Sequence, residues 1–430
     1  MKISVVGAGY VGLAFSSVLA DLGHLVYVVR KDKKKNEALK KGKTHFYDPG
    51  LEELVEKDLA SGKLIPTTSY EEAIPNSEVI FICVGTPSKT NGDIDLSQVF
   101  EAAEEIGKNL KTGYTVVAVK STVLPGTTAR VGRILEKKKK KSAHFSLGFC
   151  PEFLREGSAI EDTRRPDRVV IGASDKKAIG ILKTIHRDFK APFLLTGITA
   201  AEMIKYAANN YLALRIVFAN QIADLCEKSG ADINEVLKGI GLDKRIGLHY
   251  WYPGLGYAGS CFPKDVAALA AYADKVGLKK SIFRKMHELN LRRPEEILKR
   301  LEKEFGSFSG KTIGILGLAC KKGTDDIRKS AALKFIEILK EKKAEIMAYD
   351  PLAMENTRRL YPEINYGRNG YEAAKGADIL LILTDTEEFA RMDFKKVKKL
   401  MKGNFIFDSR NILDKNKVES LNFIYKGVGR

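Results

Sequence analysis

Six residues near the start of the chain, Gly7-Ala8-Gly9-Tyr10-Val11-Gly12, restrict its fold more than any other stretch. They follow a short apolar run, Lys2–Val6, and open a second apolar run that reaches Leu22 before Gly23. A third, His24–Val29, comes directly afterwards. A lone G-x-G-x-x-G is weak. Between a predicted strand and a predicted helix, with a second strand behind, it is the fingerprint of a dinucleotide-binding βαβ unit. The glycines permit a tight turn and close backbone approach, and the helix N-terminus attracts a pyrophosphate. Gly7, Gly9, Tyr10, Val11 and Gly12 are therefore candidate cofactor contacts, and the first domain is expected to be a doubly wound parallel sheet.

Further strands fit that sheet. Val79–Val84 runs into Gly85-Thr86-Pro87, and Thr115–Val119 into Lys120-Ser121-Thr122. Ligands of such sheets bind beyond the carboxyl ends of strands, so Thr86 and Thr122 are placed to meet cofactor or substrate. As plain turn caps they would need no ligand. Phe145–Phe149 leads into Cys150-Pro151-Glu152-Phe153-Leu154-Arg155-Glu156-Gly157, whose two glutamates suit acid–base work or the start of a helix.

Near Thr199 the pattern changes. Thr199-Ala200-Ala201-Glu202 reads as a capping box, opening a helix to about Lys228 that is apolar on most faces. Such a helix is expected to be buried, as a spine between domains or a subunit interface. Lys205 and Asn209 share one of its faces, and a lysine there requires a partner or a task. Downstream lies Gly256-Tyr-Ala-Gly-Ser-Cys-Phe-Pro-Lys-Asp265. Cys261 reads either as a nucleophile or as an inert buried thiol. With a helix starting near Pro263, Asp265 falls about one turn away. Beyond a linker at Gly306–Lys311, Thr312–Leu316 opens a second α/β unit with Gly314 and Gly317. Strands are expected at Glu345–Tyr349, Ile379–Leu383 and Phe405–Phe407.

Composition narrows the functional classes. A chain of 430 residues holds two or three domains. Its 5 cysteines are scattered without any C-x-x-C pair, which argues against a disulfide framework or a zinc site and for a reducing, cytoplasmic setting. The glycines interrupt the apolar N-terminus, so a fingerprint explains it better than a signal peptide. No apolar run is long enough to predict a membrane span. The formal net charge of +18 suits nucleic acid or anionic small molecules. Its lysines are dispersed, the densest run, Lys137–Lys141, reads as a solvated loop, and no nucleic-acid motif accompanies it. Small anionic ligands are the expected partners, with no nucleic acid and no membrane.

Seven motifs in order, GAGYVG (7–12), VGTP (84–87), STVLPGT (121–127), PEFLREG (151–157), KYAANN (205–210), GYAGSCFPKD (256–265) and GTDDIRKS (323–330), carry a further signal. Together they resemble the UDP-glucose/GDP-mannose dehydrogenase family over nearly the whole chain. The resemblance implies an α/β fold of two Rossmann-like domains, residues 1–197 and 306–430. A central helical domain, 198–305, joins them, and its long helix forms a dimer interface. It implies two successive oxidations of a sugar C6 alcohol through a Cys261 thiohemiacetal and thioester. Lys205 and Asn209 would stabilise the oxyanion, Asp265 would hold a water, and Glu152 and Thr122 would serve proton transfer and hydrolysis. Thr86, Thr122, Glu156, Lys264 and Arg328 would contact the cofactor. Glu152, Phe153, Leu154, Lys205, Asn209, Tyr250, Tyr252, Gly254 and Lys321 would contact the nucleotide sugar, with Arg245 supplied across a homodimer. Phe262 favours the UDP-glucose branch over GDP-mannose. The intact Cys261, Lys205 and Asp265 favour an enzyme over a non-catalytic binding paralogue.

Three positions depart from the family pattern: Ala258 for a glycine, Ala331 for a proline, and Arg30 for the aspartate after the second strand. An acid there binds the adenosine ribose, whereas an arginine accommodates a 2′-phosphate. The cofactor is thus expected to be NAD or NADP, with Arg30 favouring at least comparable use of NADP and Asp32 as the competing ribose partner.

Overall fold

Short runs of Val, Ile, Leu and Phe alternate with longer helical segments, and the strands assemble into two sheets. The computed structural model describes residues 1–430 and divides into two units, Met1–Ala208 and Asn209–Arg430. In the first unit the strands are β1 (Lys2–Val6), β2 (Leu25–Val29), β3 (Leu64–Thr67), β4 (Val79–Ile82), β5 (Gly113–Val119), β6 (Ala143–Phe149), β7 (Val169–Ala173) and β8 (Phe193–Thr196). They form an eight-stranded sheet in the order β3-β2-β1-β4-β5-β6-β7-β8. All neighbours are parallel except β6 and β7. Every residue of β4 is buried, as both-face coverage of a parallel sheet requires. The strand order turns back between β1 and β4, which places the fingerprint turn at the switch point.

The second unit begins within the helix Ile198–Ser229 and continues through Ile233–Gly241, Phe262–Lys275 and Ile282–Phe305. Six strands follow: β9 (Thr312–Leu316), β10 (Glu345–Tyr349), β11 (Asn365–Tyr366), β12 (Ile379–Ile382), β13 (Phe405–Asp408) and β14 (Ile424–Gly427). Their order is β11-β10-β9-β12-β13-β14, parallel throughout. The fold is α/β, with two doubly wound Rossmann-like sheets separated along the chain by helices.

Two expectations need correction and a third is narrowed. The helix begins at Ile198, so Thr199 lies inside it and does not cap it. Glu202 instead accepts the backbone N–H groups of Gly126 (2.7 Å) and Thr128 (2.8 Å), at the uncapped start of the helix Thr127–Lys138. A buried carboxylate satisfies those orphan donors and suits the positive end of the helix dipole. The lysine run is not simply loop. Lys137 and Lys138 close that helix, Lys138 pairs with Glu104, and Lys139 pairs with Glu136. Third, the long helix, expected to be buried as a spine or a subunit interface, leaves one stripe open within the single chain. Tyr211, Phe218 and Leu225 are 57%, 47% and 60% exposed at a spacing of seven.

Candidate active site

The first unit gathers its candidate side chains at the carboxyl ends of β1, β2, β4, β5 and β6. Gly7 has φ of +109°, and a Cβ there would lie 2.5 Å from the Cys83 carbonyl oxygen. A Cβ on Gly12 would overlap the Gly7 carbonyl, whereas nothing stands within 4 Å of one on Gly9. The turn is therefore closed on the protein side and open at Gly9. The helix Tyr10–Asp21 that it starts has no side-chain cap and no acid in its first turn. This cradle fits a dinucleotide pyrophosphate. Tyr10 stacks on Phe46 (3.8 Å) and donates to the Tyr47 carbonyl (3.0 Å).

At the end of β2, Arg30 is half-buried and lies 3.2 Å from His45 Nδ1. Burial, then the Arg30 charge, lowers the His45 pKa to about 4, so the imidazole is neutral at pH 7. Burial also lowers the pKa of Arg30 below its ordinary value. Asp32 accepts the Lys35 N–H at 3.0 Å and caps the helix Lys33–Lys40. The acid that competes with Arg30 for the ribose thus already has a local role.

Thr86 and Thr122 are buried just beyond β4 and β5. Glu152, beyond β6, forms a salt bridge with Lys205 at 2.9 Å, with side-chain exposures of 6% and 4%. Glu152 also accepts the Leu154 N–H at 2.6 Å. Burial alone would raise the Glu152 carboxyl. The Lys205 charge and hydrogen bond, the Leu154 N–H and the more distant Lys120 outweigh it and hold the pKa below the ordinary value of 4.5. Phe153 lies beneath two cations, the Lys205 ammonium at 5.3 Å and the Arg168 guanidinium at 3.6 Å from its ring centre. Leu154, Glu156 and Gly157 follow in the same half-buried loop.

Two residues of this unit went unnoticed in the sequence. Lys120 is buried over the Phe15 ring (4.2 Å) and its pKa is lowered by burial. Asp48 accepts the N–H groups of Gly157 (2.8 Å) and Ala159 (3.1 Å), which anchors the far end of the Glu152 loop. Lys120 sits at a strand end, a usable signal. Asp48 lies more than a hundred positions from its partners and leaves no local trace.

In the second unit Cys261 is the N-cap of the helix Phe262–Lys275, with Pro263 in its first turn. Ser260 Oγ lies 3.5 Å from the sulfur. Asp265 is fully buried, accepts from the Asn209 amide at 2.6 Å and pairs with Lys264. Its own carbonyl accepts from Asn210 (3.3 Å). The expected one-turn spacing of Cys261 and Asp265 is present, since Asp265 N–H donates to the Cys261 carbonyl at 3.0 Å.

The remaining candidates in this unit are scattered. Tyr250, at φ of +64°, packs 5.4 Å from Tyr252 and 6.5 Å from Phe262. Gly254 is buried, and a Cβ there would lie 2.9 Å from the Ser409 carbonyl and 3.2 Å from Arg410 Nη1. Arg410, beyond β13, was missed, although its place after a predicted strand marks it. Lys321 is half-buried after β9, and Arg328 is gripped at Nε (2.7 Å) and Nη2 (2.8 Å) by Asp326. Arg245 stands apart, with its side chain 89% exposed and paired with Asp243.

Comparison with known proteins decides the family. Residues 1–190, 199–292 and 314–415 match the NAD binding, central and UDP binding domains of one family. The chain belongs to the UDP-glucose/GDP-mannose dehydrogenase family. It is a nucleotide-sugar dehydrogenase with an NAD binding domain. It is 43% identical over 437 residues to the UDP-glucose 6-dehydrogenase of Rhizobium meliloti (strain 1021), each chain being covered completely. Among solved structures it resembles a UDP-glucose dehydrogenase from the hyperthermophilic archaeon Pyrobaculum islandicum (TM-score 0.92, 37% identity, 99% and 97% covered). It also resembles a UDP-D-ManNAc dehydrogenase from Pyrococcus horikoshii (TM-score 0.87, 30% identity, 100% and 99% covered). No helix is long and apolar enough to cross a membrane.

The buried pair gives a pH-dependent prediction. Removing one partner of a buried ion pair costs about 3–5 kcal/mol. Glu152→Gln is therefore expected to lower stability by about that much at pH 7. The Glu152 pKa is depressed on folding, so its contribution is present above pH 4.5 and is lost as pH falls through the lower folded value. Urea unfolding of both proteins at pH 7 and pH 4 should show the gap narrowing in acid. A gap independent of pH would mean that the carboxylate charge is not what stabilises the pair.

Proposed function

We propose that this enzyme oxidises the C6 alcohol of UDP-glucose twice, to UDP-glucuronate, through a covalent bond to Cys261. The observation that carries the reading is the arrangement around Asp265. A buried carboxylate, held by Asn209 and Lys264, begins the helix whose N-cap is Cys261. A helix N-terminus and a nearby ammonium favour thiolate. The names of the relatives support the sugar. The UDP-D-ManNAc and GDP-mannose reactions are the competing assignments.

The roles follow by residue. Cys261 adds to the C6 aldehyde as a thiolate and holds the sugar as a thiohemiacetal, then as a thioester. Lys205 and Asn209 donate to the oxyanion. Asp265 orients the hydrolytic water, and Glu152 and Thr122 exchange protons with it. The nicotinamide cofactor, when bound, accepts the hydride of each oxidation. Its contacts are the Gly7–Gly12 turn, Arg30, Thr86, Thr122, Glu156, Lys264 and Arg328. Phe153, Leu154, Tyr250, Tyr252, Gly254 and Lys321 hold the nucleotide sugar. These roles divide the chain into a dinucleotide-binding domain (1–197), a central domain (198–305) and a UDP-binding domain (306–430).

Incubation with UDP-glucose and dinucleotide should raise absorbance in the reduced nicotinamide band and yield UDP-glucuronate. UDP-ManNAc and GDP-mannose run in parallel test the sugar. Cys261→Ser should lower uronate formation at least about 10³-fold, the scale on which a lost nucleophile is felt. Near wild-type uronate production by that variant removes Cys261 as nucleophile.

For the cofactor, we propose that NADP is used at least comparably to NAD. Asp32 is engaged as a helix cap, and the Arg30 guanidinium stands at the end of β2 beside a neutral His45. A guanidinium can grip a phosphate bidentately. Arg30→Asp should then lower kcat/KM for NADP about tenfold or more, the effect of about 1.4 kcal/mol of lost phosphate contact, and spare NAD. A wild type that strongly prefers NAD, with the preference unchanged in Arg30→Asp, defeats this assignment.

The exposed stripe of Tyr211, Phe218 and Leu225 supports a homodimer through the long helix, with Arg245 given to the partner's site. Apolar side chains seven apart on a helix form one seam. Phe218→Asp should shift light-scattering mass at micromolar protein from dimer to monomer. A monomeric wild type would exclude the assembly.

A further inference from the structure

We propose that Asn290 is a positioning residue for Cys261, acting through the backbone of the loop that carries it. The inference rests on the reading of Cys261 as the nucleophile. Residues 251–260 contain neither strand nor helix, so their backbone groups must find partners elsewhere. Asn290, buried on the helix Ile282–Phe305, supplies two of them at one residue. Its Oδ1 accepts the Tyr257 N–H at 2.7 Å, and its Nδ2 donates to the Tyr257 carbonyl at 2.9 Å. One amide thus does what a neighbouring strand would do. Only this orientation matches donor to acceptor at both ends.

The loop is shaped to receive that amide. Gly256 has φ of +96°, and a Cβ there would lie 2.5 Å from Asn290 Oδ1. A glycine is required by conformation and by space alike. One helical turn along from Asn290, Arg293 donates to the Gly254 carbonyl (3.1 Å), while Asn220 accepts the Gly254 N–H (2.7 Å). On the other side of Tyr257, the Gly259 N–H reaches the Arg328 carbonyl at 3.2 Å. The loop is held at Gly254, Tyr257 and Gly259, and Cys261 follows directly as the N-cap. Tyr257 is the middle fixed point, and Asn290 is the side chain that binds both its backbone groups. Releasing it leaves the Gly254 and Gly259 contacts in place but lets the intervening backbone move. Cys261 then no longer sits reliably at the helix N-terminus, where its thiolate is favoured.

The test uses the full-length enzyme and three variants, Asn290→Ala, Asn290→Leu and Cys261→Ser. Leucine fills nearly the same space and makes no hydrogen bond. The readouts are kcat and KM with UDP-glucose, and the pH profile of Cys261 alkylation by iodoacetamide, with the modified peptide identified by mass spectrometry. Both Asn290 variants are expected to lose kcat by up to about 10²-fold, the cost of a misplacement near 1 Å. KM should change little, and Cys261 alkylation should move to higher pH. Thermal unfolding shows whether each variant is folded, and Asn290→Leu is the one built to remain so. An alkylation profile that coincides with wild type in either folded variant overturns the proposal. So does Asn290→Leu with wild-type kcat, which would reduce Asn290 to packing. Cys261→Ser separates the two readings. If it keeps turnover, the nucleophile assignment falls, while the alkylation profiles still judge the Asn290 clamp.

Discussion

Every polar side chain that the helix Ile198–Ser229 buries has to be matched, and that requirement arranges the loops packed on it. Within the first unit Glu202 takes the open N–H groups at Gly126 and Thr128, and Lys205 takes Glu152. Within the second, Asn209 and Asn210 take the side chain and carbonyl of Asp265, and Asn220 takes Gly254. Asp224 is shared by Arg293 and Arg300. An unpaired buried polar group costs about 1–3 kcal/mol, so each of these partners is strongly fixed. A helix with this many internal obligations cannot slide or rotate without breaking several at once.

The Lys205–Glu152 pair is a poor choice for stability alone. Two well-packed apolar residues in its place are often neutral or better, because desolvation offsets most of the attraction. The carboxylate is the counter-charge of a deeply buried ammonium, and the Phe153 ring face adds a second favourable contact to that cation. Lys120 shows the contrast. It is buried with a carbonyl at 3.5 Å and an aromatic ring, and burial lowers its pKa.

Much of this was legible in the sequence because its signals are local. Strands β1, β9 and β10 fall at the expected bounds, and the fingerprint turn needs only its own glycines to be recognised. Strand β3, with Pro66 inside it, was not anticipated, nor were β7, β8, β11 and β14. The supposed capping box was a correct local pattern overridden by tertiary structure. Glu202 found two stronger donors more than seventy residues away. Asp32 reads by its distance from Gly12 as a ribose partner, yet it lies directly before a helix and caps it. Cys261 and Asp265 were legible as one contiguous motif. Asn220, Asn290 and Arg293 were not, because their meaning lies in backbone groups over thirty residues distant.

The chemistry of those distant partners is itself selective. The loop before Cys261 is fixed by amides at Asn220 and Asn290 and by a backbone carbonyl at Arg328. An aspartate at position 290 would accept the Tyr257 N–H as well. It would also place a negative charge against Tyr257, four residues before Cys261, where like charge would oppose ionisation of the sulfur. It would lack the donor for the Tyr257 carbonyl too. Where charge does enter the clamp it is balanced. Arg293 is neutralised by Asp224, and Asp265 is held by Lys264 and Asn209. A loop without regular structure is thereby held by groups that add no net charge beside the helix N-terminus. Two neutral amides and one charge-balanced guanidinium thus hold the segment that leads to Cys261.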